Sequence, residues 1–281
     1  MINYPAIATE DEGWRKKGEP LWPEVWPLER LDMKRREAGP GAWASRWQQQ
    51  PFMAGGDTFK AKHLLPCGLI YRDHRDPDSV VEAVEWGGVH RPLITADQIV
   101  ISVDAASSMS AVSDRHACGV FAMWGETAVI IEGWARRLDF AAAGKAILGT
   151  WRRYPGAEVL VESKAWGPAL VQWLRENGVG RIHMWDPARW GSKGQRVGIA
   201  SGFIRPGHFR VPTEDPHMRP WVSAYKRELV RFKEEAHGKS KDDWVDVTTQ
   251  AIQWMTRVGK GQGRAGVTAG RSSRRGRVSH A

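Results

Sequence analysis

Hydrophobic and polar positions change their period several times along the chain, and each change predicts an element. Ile99-Val100-Ile101-Ser102-Val103-Asp104 is a β-branched run ending on an acid, the strongest strand signal present. Residues 117–124 and 127–134 read as two further strands around Gly125-Glu126, hence a hairpin. Residues 140–151 then carry Ile147, Leu148 and Trp151 at helical spacing. Val159-Leu160-Val161-Glu162 is a short strand that again closes on an acid. Residues 168–176 place Leu170, Trp173 and Leu174 on one helix face before Gly178, and 181–185 resume a strand. Residues 216–233 and 243–256 have the pattern of two more helices. The order is three strands with a hairpin, then helix, strand, helix, strand. That order predicts an α/β fold, a mixed sheet covered by helices.

The flanks are less regular. Residues 1–26 read as an extended arm punctuated by Trp and Pro. Pro27 suits a first helical position, with Leu28, Leu31 and Arg35 following at helical spacing, and Gly39-Pro40-Gly41 is expected to stop that helix. A second short helix over 42–49 would put Trp43 and Trp47 on one face. Two such helices cannot build a core alone, so residues 1–65 should dock on the larger domain or on a missing partner. Residues 66–98 read as loops and short strands, an insertion or an edge hairpin, opening the large domain of 66–258. From 259 to 281 the composition is Gly, Arg and Ser with no acid, which predicts a disordered basic tail.

With 281 residues the chain can bury a substantial core. Its 41 Lys+Arg against 32 Asp+Glu, a net charge of +9, favour a polyanionic partner, although part of that excess lies in the tail. Cys67 and Cys118 are the only cysteines and form no zinc-ligand pattern; Cys118, in an apolar run, reads as a buried thiol in a reducing compartment. No apolar run is long enough to span a bilayer, and the charged first 20 residues do not resemble a signal peptide, so a cytoplasmic location is expected. No G-x-x-x-x-G-K-[ST] loop occurs, so ATP hydrolysis by that mechanism is not expected.

The acids carry the candidate chemistry. Asp104 and Glu162 each end a strand; a turn or cap residue is the ordinary reading of one such acid, and two raise the case for a shared site. Lys241-Asp242-Asp243-Trp244-Val245-Asp246 opens a helix whose inner face carries Val247, Ala251 and Trp254 or Met255. Three acids in five residues exceed what capping requires. Asp243 and Asp246, three apart, share a face and repel unless a cation offsets them, whereas Asp242 points elsewhere and suits the cap. Phosphodiester hydrolysis needs an activated water and neutralised phosphoryl oxygens. Two Mg²⁺ or Mn²⁺ ions about 4 Å apart, held by carboxylates, can supply both. Asp114, His116 and Ser163 are candidates to support such a site, each with a structural reading beside it; Lys193 and Arg196 could meet DNA phosphates or form a solvated charge run.

These segments together resemble the nuclease half of the large terminase subunit of tailed bacteriophages, the DNA-packaging motor protein. The likeness runs from Leu21-Trp22-Pro23-Glu24-Val25-Trp26 through Gly39 to Trp47, Gln48-Gln49-Gln50-Pro51 and Gly55-Gly56-Asp57-Thr58-Phe59-Lys60, which resemble the family's segment joining ATPase and nuclease. Ser102-Val103-Asp104-Ala105-Ala106, Asp114, Val161-Glu162-Ser163, Gly167 with 169–178, 193–196, 203–212 and 241–246 follow in order. The resemblance implies a ribonuclease H-like fold with Asp104, Glu162 and Asp243 as metal ligands, assisted by Asp246 and Asp114. Lys241 stands where many relatives have His, so its role in shaping the site is open.

The implied activity is metal-dependent endonucleolysis of concatemeric double-stranded phage DNA with low sequence specificity. The implied partners are DNA, the terminase ATPase domain, the small terminase subunit and the portal protein, in host cytoplasm and transiently at the procapsid portal. The family's ATPase domain is missing from this chain, which reads as an excised nuclease domain or a separately encoded one, with the interdomain character of residues 20–60 favouring excision. The alternatives are another ribonuclease H-like nuclease (resolvase, transposase or hybrid nuclease), a non-catalytic DNA-binding or portal-docking module, and an unrelated α/β domain.

Overall fold

The run before Asp104 forms strand β4 (Gln98–Asp104), and burial of Val100, Ile101, Ser102 and Val103 in succession marks it as covered on both faces. The computed structural model describes residues 4–49, 58–105, 115–164, 166–232 and 242–258. Antiparallel to β4 runs β5 (His116–Trp124), and β6 (Thr127–Arg136) returns beside β5 through a turn in which Gly125 takes φ 57°. On the other side, β7 (Glu158–Glu162) is parallel to β4 and β8 (Ile182–Trp185) is parallel to β7. The order β6-β5-β4-β7-β8 is a meander followed by two parallel strands, the mixed sheet that the sequence predicts.

Among the described residues, four more strands widen the sheet to nine. Strand β9 (Phe209–Pro212) lies parallel to β6, and β1 (Leu65–Tyr71) parallel to β9. Strands β2 (Val81–Trp86) and β3 (Val89–Pro92) then follow as an antiparallel edge hairpin. Residues 66–98 thus fall largely in the far edge of the sheet.

Strand alternation sorts the core into two layers. From β4 and β5, Ile101, Val103, Cys118 and Val120 face α2 (Phe140–Arg153) and α3 (Gly167–Glu176), where Ile147, Leu148, Leu170 and Leu174 cover them. On the opposite face, Val100, Phe121 and Leu160 lie under α4 (Lys193–Phe203), α5 (Trp221–Arg231) and α6 (Asp243–Val258). Because side chains alternate with a period of two, Asp104 shares the face of Val100, and Glu162 that of Leu160. Both acids therefore point to the layer that contains α6.

The seat of α6 is a close one. Trp244 is fully buried, and a Cβ on Gly133 would come 2.9 Å from its ring, so only glycine on β6 lets the indole lie this near the sheet. Val247, Ala251 and Met255 are buried as expected, while Trp254 turns to the sheet edge and donates to Glu158 at 2.7 Å.

Several local expectations are corrected. Gly39-Pro40-Gly41 does not end the first helix, since α1 (Leu28–Ala42) runs through it and widens into a π turn at Trp43–Trp47. Trp43 and Trp47 stack at 5.8 Å, and Trp43 is buried with Ala6 and Leu31; this small core overrides the local breakers. The segment following Ser192 is a helix, not a solvated charge run, and α5 begins at Trp221, later than 216. Residues 50–57 and the basic tail at 259–281 lie outside the described residues.

Candidate active site

Asp104 and Glu162 stand side by side because β4 and β7 are parallel neighbours in register, with Val103 opposite Val161. Asp243 is the first residue of α6 and Asp246 lies one turn further on. Their mutual influence is plain at Asp104. Burial, then the charges of Asp246, Glu162 and Asp243, then a side-chain hydrogen bond with Glu162 push its carboxyl well above the usual carboxylate range. Acids from three separate elements thus converge.

Each of the other acids meets a cation. Lys164 lies 3.0 Å from Glu162. Arg115 reaches Asp243 through Nε at 2.8 Å and Nη2 at 2.6 Å. Lys193 donates to Asp246 at 2.8 Å and also to Asp242, and Arg196 approaches Asp246 at 3.8 Å. Among the described residues, no three His, Cys, Asp or Glu side chains are spaced as a ready cage for one metal ion. The donor set nevertheless suits a hard divalent cation in kind, being all carboxylate oxygen. Asp246, raised by burial and lowered by Lys193, sits in the same balance of desolvation and pairing.

Sequence reasoning passed over two residues here, Arg115 and Glu228. Arg115 precedes β5, whose Ala117 pairs with Asp104, so strand register alone places it at this end of the sheet. Glu228 looks like a surface charge on an amphipathic helix. In the fold its Oε2 accepts from Arg115 at 3.0 Å and its Oε1 accepts the backbone N–H of Trp244 at 2.6 Å. Burial raises Glu228 to about 7, opposed by these partners.

The supporting candidates separate. His116 is buried on β5, its Nε2 at 3.1 Å from the Leu138 carbonyl and its ring against Trp166, a packing position behind Arg115. Ser163 donates its backbone N–H to Trp185 at 2.7 Å and so continues the β7–β8 pairing past Glu162. Asp242 precedes α6 as a cap should, and its carbonyl accepts from Asp246, but its carboxylate pairs with Lys193 while Glu228 takes the Trp244 N–H. Lys193 and Arg196, expected at phosphates, are turned onto the acids. Asp114 and Lys241 lie outside the described residues.

Neither a family model nor a curated protein matches the chain. Among solved structures it is similar to the large terminase nuclease from thermophilic phage G20c, at 17% identity and TM-score 0.48, over 71% of this chain and 98% of that one. The same nuclease with bound magnesium gives 17% identity and TM-score 0.49, over 72% and 98%. The large terminase nuclease domain from the bacteriophage SPP1 with bound Mn gives 15% identity and TM-score 0.42, over 58% of this chain and 89% of that one. The likeness is to large terminase nucleases. The fold itself, a mixed sheet flanked by helices, is read from the strand order of the chain.

Proposed function

We propose that this chain is a terminase-type nuclease, a metal-dependent endonuclease that cuts concatemeric double-stranded phage DNA during packaging with low sequence specificity. The observation that carries the reading is the convergence of four acids from three elements: Asp104 and Glu162 at the ends of the paired strands β4 and β7, and Asp243 and Asp246 at the start of α6, near enough for their charges to act on Asp104. Converging acids are costly to a fold and are retained where their charge is used. The ordered terminase-like motifs around them support the same reading.

In this proposal Asp104, Glu162 and Asp243 hold Mg²⁺ or Mn²⁺, two ions in all, and Asp246 assists. When bound, such ions activate a water and neutralise the phosphoryl and leaving oxygens. The chain's own groups do the rest. Arg115 fixes the orientation of Asp243, Glu228 fixes the start of α6, and the exposed Lys164 beside Glu162 offers positive charge to a phosphate. Binding through phosphates would weaken steeply with salt. The ATPase domain, small subunit and portal protein are the proposed partners, met in host cytoplasm and at the procapsid portal. Among the described residues no helix is long and apolar enough to cross a membrane.

The test is plasmid cleavage with Mg²⁺ or Mn²⁺ by the wild type, Asp104→Asn and Asp243→Asn. Each variant should lose at least about 100-fold in rate, the scale expected for removing electrostatic stabilisation of a transition state. Wild-type rates in folded variants would sink the assignment. Parallel assays on RNA–DNA hybrid and branched DNA separate this reading from other ribonuclease H-like nucleases, because a preference for either substrate would favour those.

A further inference from the structure

The cations that face the acidic site are not alike. Arg115 is framed: it bridges Asp243 and Glu228, and Glu228 is itself tied to the Trp244 N–H. Withdrawing it would leave two acids opposed in a largely enclosed position. Lys193 also spans two acids, Asp242 and Asp246, but lies in a more open position. Its ammonium is a compact point charge on a four-carbon stem with rotatable bonds, 35% exposed, and its partners Asp242 and Asp246 both keep contact with solvent. Its backbone, by contrast, is fixed at the first turn of α4 by the Ser192–Gln195 capping box. The head can therefore swing while the backbone stays anchored.

Asp246 is also the acid whose charge acts most strongly on Asp104. The carboxylate closest in effect to the centre of the site is thus the one that Lys193 occupies.

We propose that Lys193 is a built-in counter-cation that competes with divalent metal for Asp246, and that a DNA phosphate relieves the competition by drawing the ammonium away. This rests on the metal-dependent reading above. Metal and DNA then bind cooperatively, each tightening the other by the same factor, because both favour the arrangement in which Lys193 has left Asp246. Without DNA, the site would be held in a poorly loaded state.

Mn²⁺ titration of the whole chain by calorimetry, without DNA and at fixed ionic strength, tests this directly. Lys193→Met keeps the stem and removes the charge, and should bind Mn²⁺ about tenfold tighter than wild type, as loss of one nearby positive charge requires. Lys193→Arg keeps the charge and should bind as wild type does. A phosphorothioate duplex should tighten Mn²⁺ binding to the wild type and leave Lys193→Met nearly unchanged. Equal or weaker binding by Lys193→Met, or tightening in Lys193→Arg as well, would overturn the proposal; thermal melts identify any variant that has not folded, and Lys193→Gln then replaces it. Asp104→Asn separates the two levels. If it abolishes Mn²⁺ binding while Lys193→Met has no effect, only the competition is wrong. If neither the wild type nor Lys193→Met binds Mn²⁺, the metal-dependent reading fails and this inference with it.

Discussion

Glu228 accepts the backbone N–H of Trp244 at 2.6 Å, so a side chain from α5 caps the helix that delivers two of the four site acids. The cap that sequence assigns to Asp242 is supplied from another helix instead. Glu228→Ala removes it and also strips Arg115 of one partner. The expected loss is about 1–2 kcal/mol of stability, the usual worth of an N-cap, measured by urea unfolding. Glu228→Gln retains the acceptor for Trp244 and should lose less than the alanine variant. Equal losses would show that the cap is not what Glu228 contributes.

Glu228 also predicts a pH dependence. Its folded value is raised to about 7 from an ordinary 4.5, with burial as the main cause. A raised acid binds its proton more tightly folded than unfolded. Its contribution is fully present below the unfolded value and is lost as pH rises through the folded one. The melting temperature of Glu228→Gln should therefore fall less than that of the wild type between about pH 5 and 7. Parallel melting curves for the two proteins across that window would count against the assignment.

Gly167 opens α3 immediately below Glu162. A Cβ there would collide with the Glu162 carbonyl oxygen, a backbone atom that cannot move aside without shifting the acid. Gly167→Ala should cost more than about 2 kcal/mol in chemical unfolding and reduce cleavage well beyond what the stability loss explains. Gly133→Ala meets the Trp244 ring at 2.9 Å and should be the milder of the two. A Gly167→Ala protein as stable and as active as the wild type would contradict the close packing described for β7 and α3.

Asp104 is held against burial and three like charges. Because its carboxyl is raised, its ionisation costs stability increasingly as pH climbs above the ordinary Asp value. Asp104→Asn should raise the melting temperature at pH 8 in chelator by about 2–4 °C while abolishing cleavage. Added Mn²⁺ should stabilise the wild type and not this variant. A variant melting below the wild type in chelator would mean that Asp104 stabilises the fold.

The placement of the candidate acids was largely legible in the sequence, for a simple reason. A β-branched run closing on an acid specifies both a strand and the end at which the acid lies, and the two-residue period specifies its face. Asp104 and Glu162 followed from that rule, and the cluster at Asp243 and Asp246 from the excess of acids over capping needs. Helix α4 was not legible, because Lys193–Phe203 contains Gly194, Gly198 and Gly202 and has weak intrinsic helicity; packing of Val197, Ala200 and Phe203 on the sheet decides it. Strand β9 escaped for a related reason. It is four residues long, and both its neighbours, β1 and β6, are distant in sequence and parallel to it.

What the sequence determined by itself is therefore the set of acids and the elements that carry them, since period and termini are local properties. Only the tertiary structure decided which cation answers each acid: Arg115 for Asp243, Lys164 for Glu162, and Lys193 for Asp246. Apart from Lys164 and Glu162, these partners lie more than 50 residues apart, and charge acts through space without leaving a local pattern to read.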